Sequence, residues 1–357
     1  MSKKIAKLLC VCLTGAVLVG CGNENKSNDE VVLFTYDGQK AYMDEAWVYA
    51  KTIQSQYEAW YGSAVWDYEV NDNDGNKTTM EELTKKDIVE QMKMVKFLSA
   101  EAKKNGIALT EEEETEIKKN AEDFMSSVGQ DDLTQTGITE DTMIRVYEEN
   151  ALASKYHNKV IEDAKIEVSD EEARQFKTYN LLFETFEYDD NGQKVEYSAK
   201  KKAEQKQKAE EALARIKNGE TNLAKLAKEY KADKSSEYTC GDDESTVKEY
   251  RDAAKVLKKG EVSDIVESEF GYHIIKMLDP KDKEATEENK EKILQEKEAE
   301  YFNKKYEEMT KELEEKWDFE KDVNQKAFET ITLKQVEADT TSTDEATQEE
   351  TTTAQEE

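Results

Sequence analysis

Two histidines, four cysteines and one short acidic run are the side chains of this 357-residue chain whose types could move a proton, form a covalent link or hold a metal. His273 lies in Phe270–Gly271–Tyr272–His273–Ile274–Ile275–Lys276. There a period of two puts His273, Ile275 and Met277 on one face of a strand and Tyr272, Ile274 and Lys276 on the other. Its imidazole is therefore expected among apolar neighbours. His157 falls near the end of a predicted helix with no second histidine or cysteine nearby, and reads as a surface residue and not a ligand. The run Asn71–Asp72–Asn73–Asp74–Gly75 invites a calcium loop, but with Gly75 at the sixth position Val70 would occupy the first, where a carboxylate is required. The run reads as a solvated turn, and no metal is expected.

The elements that must position His273 belong to a strongly acidic chain. Charged residues make up 37%, the formal net charge is −31, and there is one proline. So few prolines favour uninterrupted helices, and the charge excludes nucleic acid as a partner. Met1–Gly20 reads as a targeting segment: Lys3, Lys4 and Lys7 precede the apolar run Leu8–Gly20, which is too short for the roughly 20 residues of a membrane-spanning helix. Its end, Leu18–Val19–Gly20–Cys21, resembles the bacterial lipobox, in which the cysteine is lipidated. Two acyl chains on Cys21, at about 0.8 kcal/mol per buried methylene, would anchor the protein stably. Cys10 and Cys12 leave with the signal and Cys21 is taken by lipid, so no second cysteine remains to bond with Cys240 and no intramolecular disulfide is expected. The signal carries three lysines and no acid, leaving 82 acidic residues against 48 basic ones. Residues 21–30 read as a flexible tether.

Beyond the tether, Val31–Tyr36 and Gln39–Tyr42 flank an Asp37–Gly38 turn. Asp44 is expected to cap a helix carrying Ala46, Tyr49, Ile53, Tyr57 and Trp60. Thr79 with Glu82, Thr110 with Glu113, and Thr139 open three further amphipathic helices. At Thr178–Tyr188 the pattern changes to strand alternation. Ser198 then caps a Lys- and Glu-rich helix ending at Asn218–Gly219, and further helices are expected at Leu223–Tyr230 and Lys248–Lys258, the last stopped by Gly260. Short strands at Glu261–Val266 and Tyr272–Met277 complete an order of strand, helices, strand, strand. That order defines an α+β domain ending at Asp279–Pro280. Glu288–Leu313 is a charged helix with sparse apolar positions, expected to dock on the amino-terminal helices. Phe319–Leu333 adds a docked segment, with Ile331 and Leu333 alternating as in a strand, and residues 335–357 read as a disordered acidic tail.

The stretch Leu257–Lys258–Lys259–Gly260–Glu261–Val262–Ser263 followed by Phe270–Lys276 resembles the carboxy-terminal half of a parvulin-type peptidyl-prolyl isomerase domain. The helix Leu223–Ala224–Lys225–Leu226–Ala227–Lys228–Glu229–Tyr230 is similar to one in the same family. With the lipobox and the flanking helices, the order of parts resembles the PrsA-type extracytoplasmic foldase lipoproteins, relatives of the SurA-like chaperones. The resemblance implies a signal peptide at 1–20, a tether at 21–30 and an α-helical chaperone module at 31–176. It further implies a parvulin-like domain with a small antiparallel-type sheet at 177–280, a returning helix at 281–334 and a tail at 335–357. Carried residue by residue, His273 matches the family's second histidine, Asp233 its Cys/Asp position and Ser268 its Thr/Ser position, while the first histidine position is Asn180 here. The proline-pocket Met and Phe positions appear as Thr246 or Val247 and Tyr250, and Leu182 and Phe270 join Val247 and Tyr250 as implied substrate-binding residues.

What the resemblance implies is rotation about X-Pro bonds in unfolded or partly folded secreted polypeptides, without cofactor or metal. The protein would work at the outer face of the bacterial cytoplasmic membrane, held by the lipid on Cys21. The oligomeric state stays open, a dimer included. Asn180 can exchange hydrogen bonds but cannot reproduce a pair of histidines. The alternative is therefore a non-catalytic holdase binding extended chains through Tyr49, Tyr57, Trp60 and Trp66. A solute-binding lipoprotein would need repeated strand–helix units in two lobes, which the sequence lacks.

Overall fold

The computed structural model of the protein describes residues 31–72, 74–241 and 246–334. The signal segment, Cys21, the tether and the acidic tail lie outside the described residues. The chain divides into two compact units, one from the described residues up to Asp163 and from Phe302 onward, the other from Ala164–Tyr301. No described helix is long and apolar enough to cross a membrane.

The first unit begins with a hairpin, β1 (Val32–Tyr36) and β2 (Gln39–Tyr42), closed by Asp37 and Gly38, both at positive φ. Helix α1 (Met43–Tyr61) follows, then a 3-10 turn at Ser63–Asp67, a hairpin of β3 (Glu69–Asn71) and β4 (Lys77–Thr79), and the helices α2 (Met80–Lys104), α3 (Glu111–Ser127), α4 (Gln130–Thr136) and α5 (Glu140–Ala164). The Thr79, Thr110 and Thr139 hydroxyls each accept from a backbone N–H in the first turn of their helix, as their spacing predicts. Asp44 is not the cap expected of it: α1 starts one residue earlier, and Asp44 is fully buried, bonded to Thr142 Oγ1 at 2.6 Å and Arg145 Nη2 at 2.8 Å. Beside it Glu45 accepts from Arg145 Nε at 2.5 Å and Lys96 Nζ at 2.9 Å, and Lys96 also reaches Glu149. Buried carboxylates persist here because each has a cationic partner. In the β3–β4 turn, the Asp72 carboxylate accepts from the Asp74 and Asn76 backbone N–H groups, the solvated turn its composition indicates.

The second unit holds α6 (Asp170–Ala173), β5 (Gln175–Glu184), the hairpin β6 (Phe186–Tyr188) and β7 (Lys194–Glu196), then α7 (Ala199–Lys217), α8 (Leu223–Tyr230), β8 (Ser236–Gly241), α9 (Lys248–Ala254), β9 (Val266–Ser268) and β10 (Gly271–Asp279). Four strands form one antiparallel sheet in the order β8-β5-β10-β9. One face carries Leu181, Phe183, Tyr272 and Ile274 against Ala209, Leu213 and Leu226 of α7 and α8. The other carries Phe176, Cys240, Ile275 and Met277 against Tyr250 and Ala254 of α9.

Three expectations are corrected here. Strand β8 was not expected, because its residues are mostly polar and only its end, Cys240 and Gly241, is buried. Helix α9 ends at Ala254, well before Gly260; at φ +87° that glycine turns the chain so that its N–H bonds to Met277 O at 2.8 Å. The segment after it runs beside β10 as an irregular strand, and regular pairing begins only at Val266.

Helix α10 (Lys283–Glu314) leaves the second unit, where Thr286 Oγ1 accepts from Gln175 N at 3.0 Å, and its residues from Phe302 belong to the first. There Tyr306 meets Phe97 edge-on at 5.9 Å, so the expected docking on the amino-terminal helices is present. Lys93, 1% exposed, is held by Glu90 and Glu314 and lies over the rings of Trp317 and Tyr36 at 4.5 and 5.0 Å. The described residues end with α11 (Phe319–Asp322) and α12 (Gln325–Phe328), then Ile331 and Leu333, buried without forming a strand.

Candidate active site

Antiparallel pairing places His273 opposite Leu182, Ile275 opposite Asn180 and Met277 opposite Thr178. Directly paired residues share a face, so Asn180, Leu182 and His273 stand together on the face covered by α9. His273 is 3% exposed. Its Nδ1 lies 3.0 Å from Asn180 Oδ1 and its Nε2 2.7 Å from Ser268 Oγ. An amide oxygen has no hydrogen to give, so Nδ1 carries the proton and the Nε2 lone pair accepts the Ser268 hydroxyl. Ser268 Oγ in turn accepts from the Phe270 backbone N–H at 3.0 Å. Burial pushes the imidazole pKa down to about 4, so the ring is neutral near pH 7.

A close turn makes this geometry possible. Gly271, between Ser268 and His273, has φ +133°, and a Cβ there would stand 2.2 Å from the Phe183 carbonyl oxygen. Only glycine lets β10 leave the turn so near β5.

Tyr250 supports the imidazole. Its ring meets His273 edge-on at 5.3 Å and is 2% exposed, so it forms the floor of the site and presents little surface of its own. Thr178 Oγ1 donates to Tyr238 O at 2.9 Å, which leaves the Tyr250 hydroxyl, at 2.8 Å, as donor to Thr178 Oγ1. Thr178 was overlooked in the sequence, although its place two residues before Asn180 puts it on the same face. Ser235, equally unforeseen, accepts from the Leu182 backbone N–H at 3.0 Å.

The remaining candidates lie around this centre. Leu182 is buried, Val247 half-buried against the α9 cluster, and Phe270 exposed at 38% beside Phe186. Asp233 is brought to the same end of β5 but not into the hydrogen-bonded chain: it is exposed, and it acts on Glu184, whose carboxyl is held above the usual range by burial, with Lys234 opposing the shift and Asp233 adding the smallest part of it. Among the described residues no cluster of three or more His, Cys, Asp or Glu is disposed to hold a metal.

The four-stranded antiparallel sheet with helices on both faces belongs to a parvulin-like domain. The family model for the PPIC-type PPIASE domain matches residues 164–281. The chain is similar to Foldase protein PrsA of Clostridium tetani, with 31% identity over 223 residues, 56% of this chain and 62% of that one. With Foldase protein PrsA of Clostridium perfringens it shares 26% identity over 293 residues, 76% of this chain and 81% of that one. Among solved structures, PrsA from Lactococcus lactis aligns at 17% identity over 79% of this chain and 93% of its own, with a TM-score of 0.34. PrsA from Bacillus cereus aligns at 22% over 71% and 93%, with a TM-score of 0.32.

Proposed function

We propose that this protein is a lipid-anchored extracytoplasmic foldase whose parvulin-like domain catalyses cis–trans isomerisation of X-Pro bonds in secreted polypeptides. The observation that carries the reading is the Asn180–His273–Ser268 chain on an apolar sheet face. Rotation of an X-Pro bond has a barrier of about 18–20 kcal/mol because the twisted state loses amide resonance. A thousandfold acceleration needs about 4 kcal/mol of preference for that twisted state. No bond is made or broken, so the site has only to seat the proline ring and offer polar groups to the carbonyl and imide nitrogen. Leu182, Val247 and Phe270 supply the seat above Tyr250. Ser268, less buried than His273, is the member that meets the substrate, and His273 fixes its hydroxyl. Asn180, where a second histidine would stand, holds the Nδ1 proton and with it the direction of the chain. Asp233 acts at the rim as a charge.

Within this reading the unit of residues 31–163 and 302–334 forms the chaperone module and Ala164–Tyr301 holds the isomerase domain, with Cys21 as the lipid anchor on the outer face of the cytoplasmic membrane. In a refolding reaction limited by proline isomerisation, the wild-type protein shortens the slow phase and His273→Ala does not. An equal acceleration by both would overturn the catalytic assignment. Cys21→Ser releases the processed protein from the membrane fraction, and unchanged retention would overturn the anchor.

A further inference from the structure

Between Lys51 and Lys77 the chain has no lysine, arginine or histidine, although basic residues number 51 in 357. The same 25 residues hold the acids Glu58, Asp67, Glu69, Asp72 and Asp74 and the aromatics Tyr57, Trp60, Tyr61, Trp66 and Tyr68. The structure sorts those aromatics into a base and a surface. Trp66 is fully buried, its Nε1 donating to Glu58 Oε1 at 2.9 Å. Tyr57 stacks on Trp66 with centroids 5.6 Å apart, and Tyr61 lies 6.0 Å from Tyr57. Trp60, Tyr61, Tyr68 and Tyr57 are 83%, 65%, 55% and 37% exposed, four of the nine large apolar side chains exposed among the described residues. Of the four residues first read as a cradle for extended chains, Tyr49 and Trp66 are thus core, and Tyr57 and Trp60 are surface.

An exposed aromatic patch on a rigid base is an interaction surface, and its charge selects the partner. Aromatic faces are negative at their centres and attract cations, and here the surrounding carboxylates carry the same sign. Glu58 is occupied by Trp66, while Asp67 and Glu69 pair, among the described residues, with the exposed Lys334 and Lys77. Such exposed pairs exchange partners at little cost. An anionic lipid surface is repelled by this patch, and a neutral glycan gains nothing from its carboxylates.

We infer that the end of α1 and the following 3-10 turn bind extended, unfolded polypeptide segments in which lysine or arginine alternates with apolar residues. The inference rests on the reading that the protein's clients are unfolded polypeptides, and it names their chemistry.

The test uses the full mature chain and a short, proline-free peptide of lysine and leucine, labelled for anisotropy, beside its counterpart with glutamate for lysine. The lysine peptide is expected to bind at least about tenfold more tightly than the glutamate one, and Trp60→Ala with Tyr61→Ala to weaken it about tenfold. Both substituted side chains are largely exposed, so the fold is retained. Equal affinity for the two peptides, or full affinity in the double variant, overturns the inference. So does loss of binding to neutral vesicles or to a glycan with the lysine peptide unaffected. Isomerisation of a short X-Pro peptide is unchanged in the double variant, and His273→Ala leaves lysine-peptide binding intact, so the two readings fail separately.

Discussion

Burial opposes charging His273, whose imidazole donates from Nδ1 to Asn180 and accepts at Nε2 from Ser268. Its pKa of about 4 in the folded state lies below the ordinary 6.5. Between those values the unfolded chain binds a proton that the folded one refuses, so this stability contribution is complete above about pH 6.5 and is lost as pH falls through 4. The contribution is on the order of 3 kcal/mol. Chemical unfolding of wild type and His273→Gln at pH 7 and pH 4 should show the difference between the two proteins narrowing by that order at the lower pH. Parallel behaviour would place His273 in an environment more polar than the one described. At this scale the sequence was informative about type and place: the alternation through Tyr272–Met277 puts His273 on an apolar face. It could not reveal that Tyr250 would be floor instead of open pocket, since burial depends on how α9 covers the sheet.

The turn before β10 shows what one element requires. Ser268 and His273 must approach within hydrogen-bonding distance across residues 269–272, which forces the strand to leave the turn against the Phe183 carbonyl. Gly271→Ala would press a methyl group onto that oxygen at an unfavourable φ, and a destabilisation of at least about 2 kcal/mol is expected from the strain. A thermal melt of the full chain followed by a probe in the second unit measures it; an unchanged midpoint would show that the strand can shift without cost. The helices whose caps are spelled in Ser and Thr were legible, because a cap is a local event of three or four residues. Strand β8 was not, since Ser236–Thr239 acquire strand conformation only by pairing with β5. Gly260 was misread for a related reason: positive φ identifies a turn, but its use against β10 depends on a contact with Met277.

Across the whole molecule, the first unit is assembled from both ends of the sequence. Lys93 between Glu90, Glu314, Tyr36 and Trp317, together with the pairing of Phe34 with Val323, joins the amino-terminal hairpin to the carboxy-terminal segment. The sparse apolar positions of α10 announced that docking, since such a helix cannot stand alone. The ion pairs that buried Asp44, Glu45 and Lys96 make with one another and with half-buried Arg145 were invisible in sequence, because a charged residue near a helix start reads first as a cap. On the proposed function, a neutral Asn180–His273–Ser268 chain, without cofactor, catalyses rotation about X-Pro bonds. Its most direct test is the cis–trans exchange rate of a short X-Pro peptide, measured by NMR between pH 5.5 and pH 8 with the wild-type mature chain and with His273→Ala. Exchange faster than in buffer is expected, flat across that range because His273 does not titrate in it, with no enhancement from His273→Ala. Exchange no faster than in buffer with the wild-type chain, or an enhancement that survives His273→Ala, would contradict it.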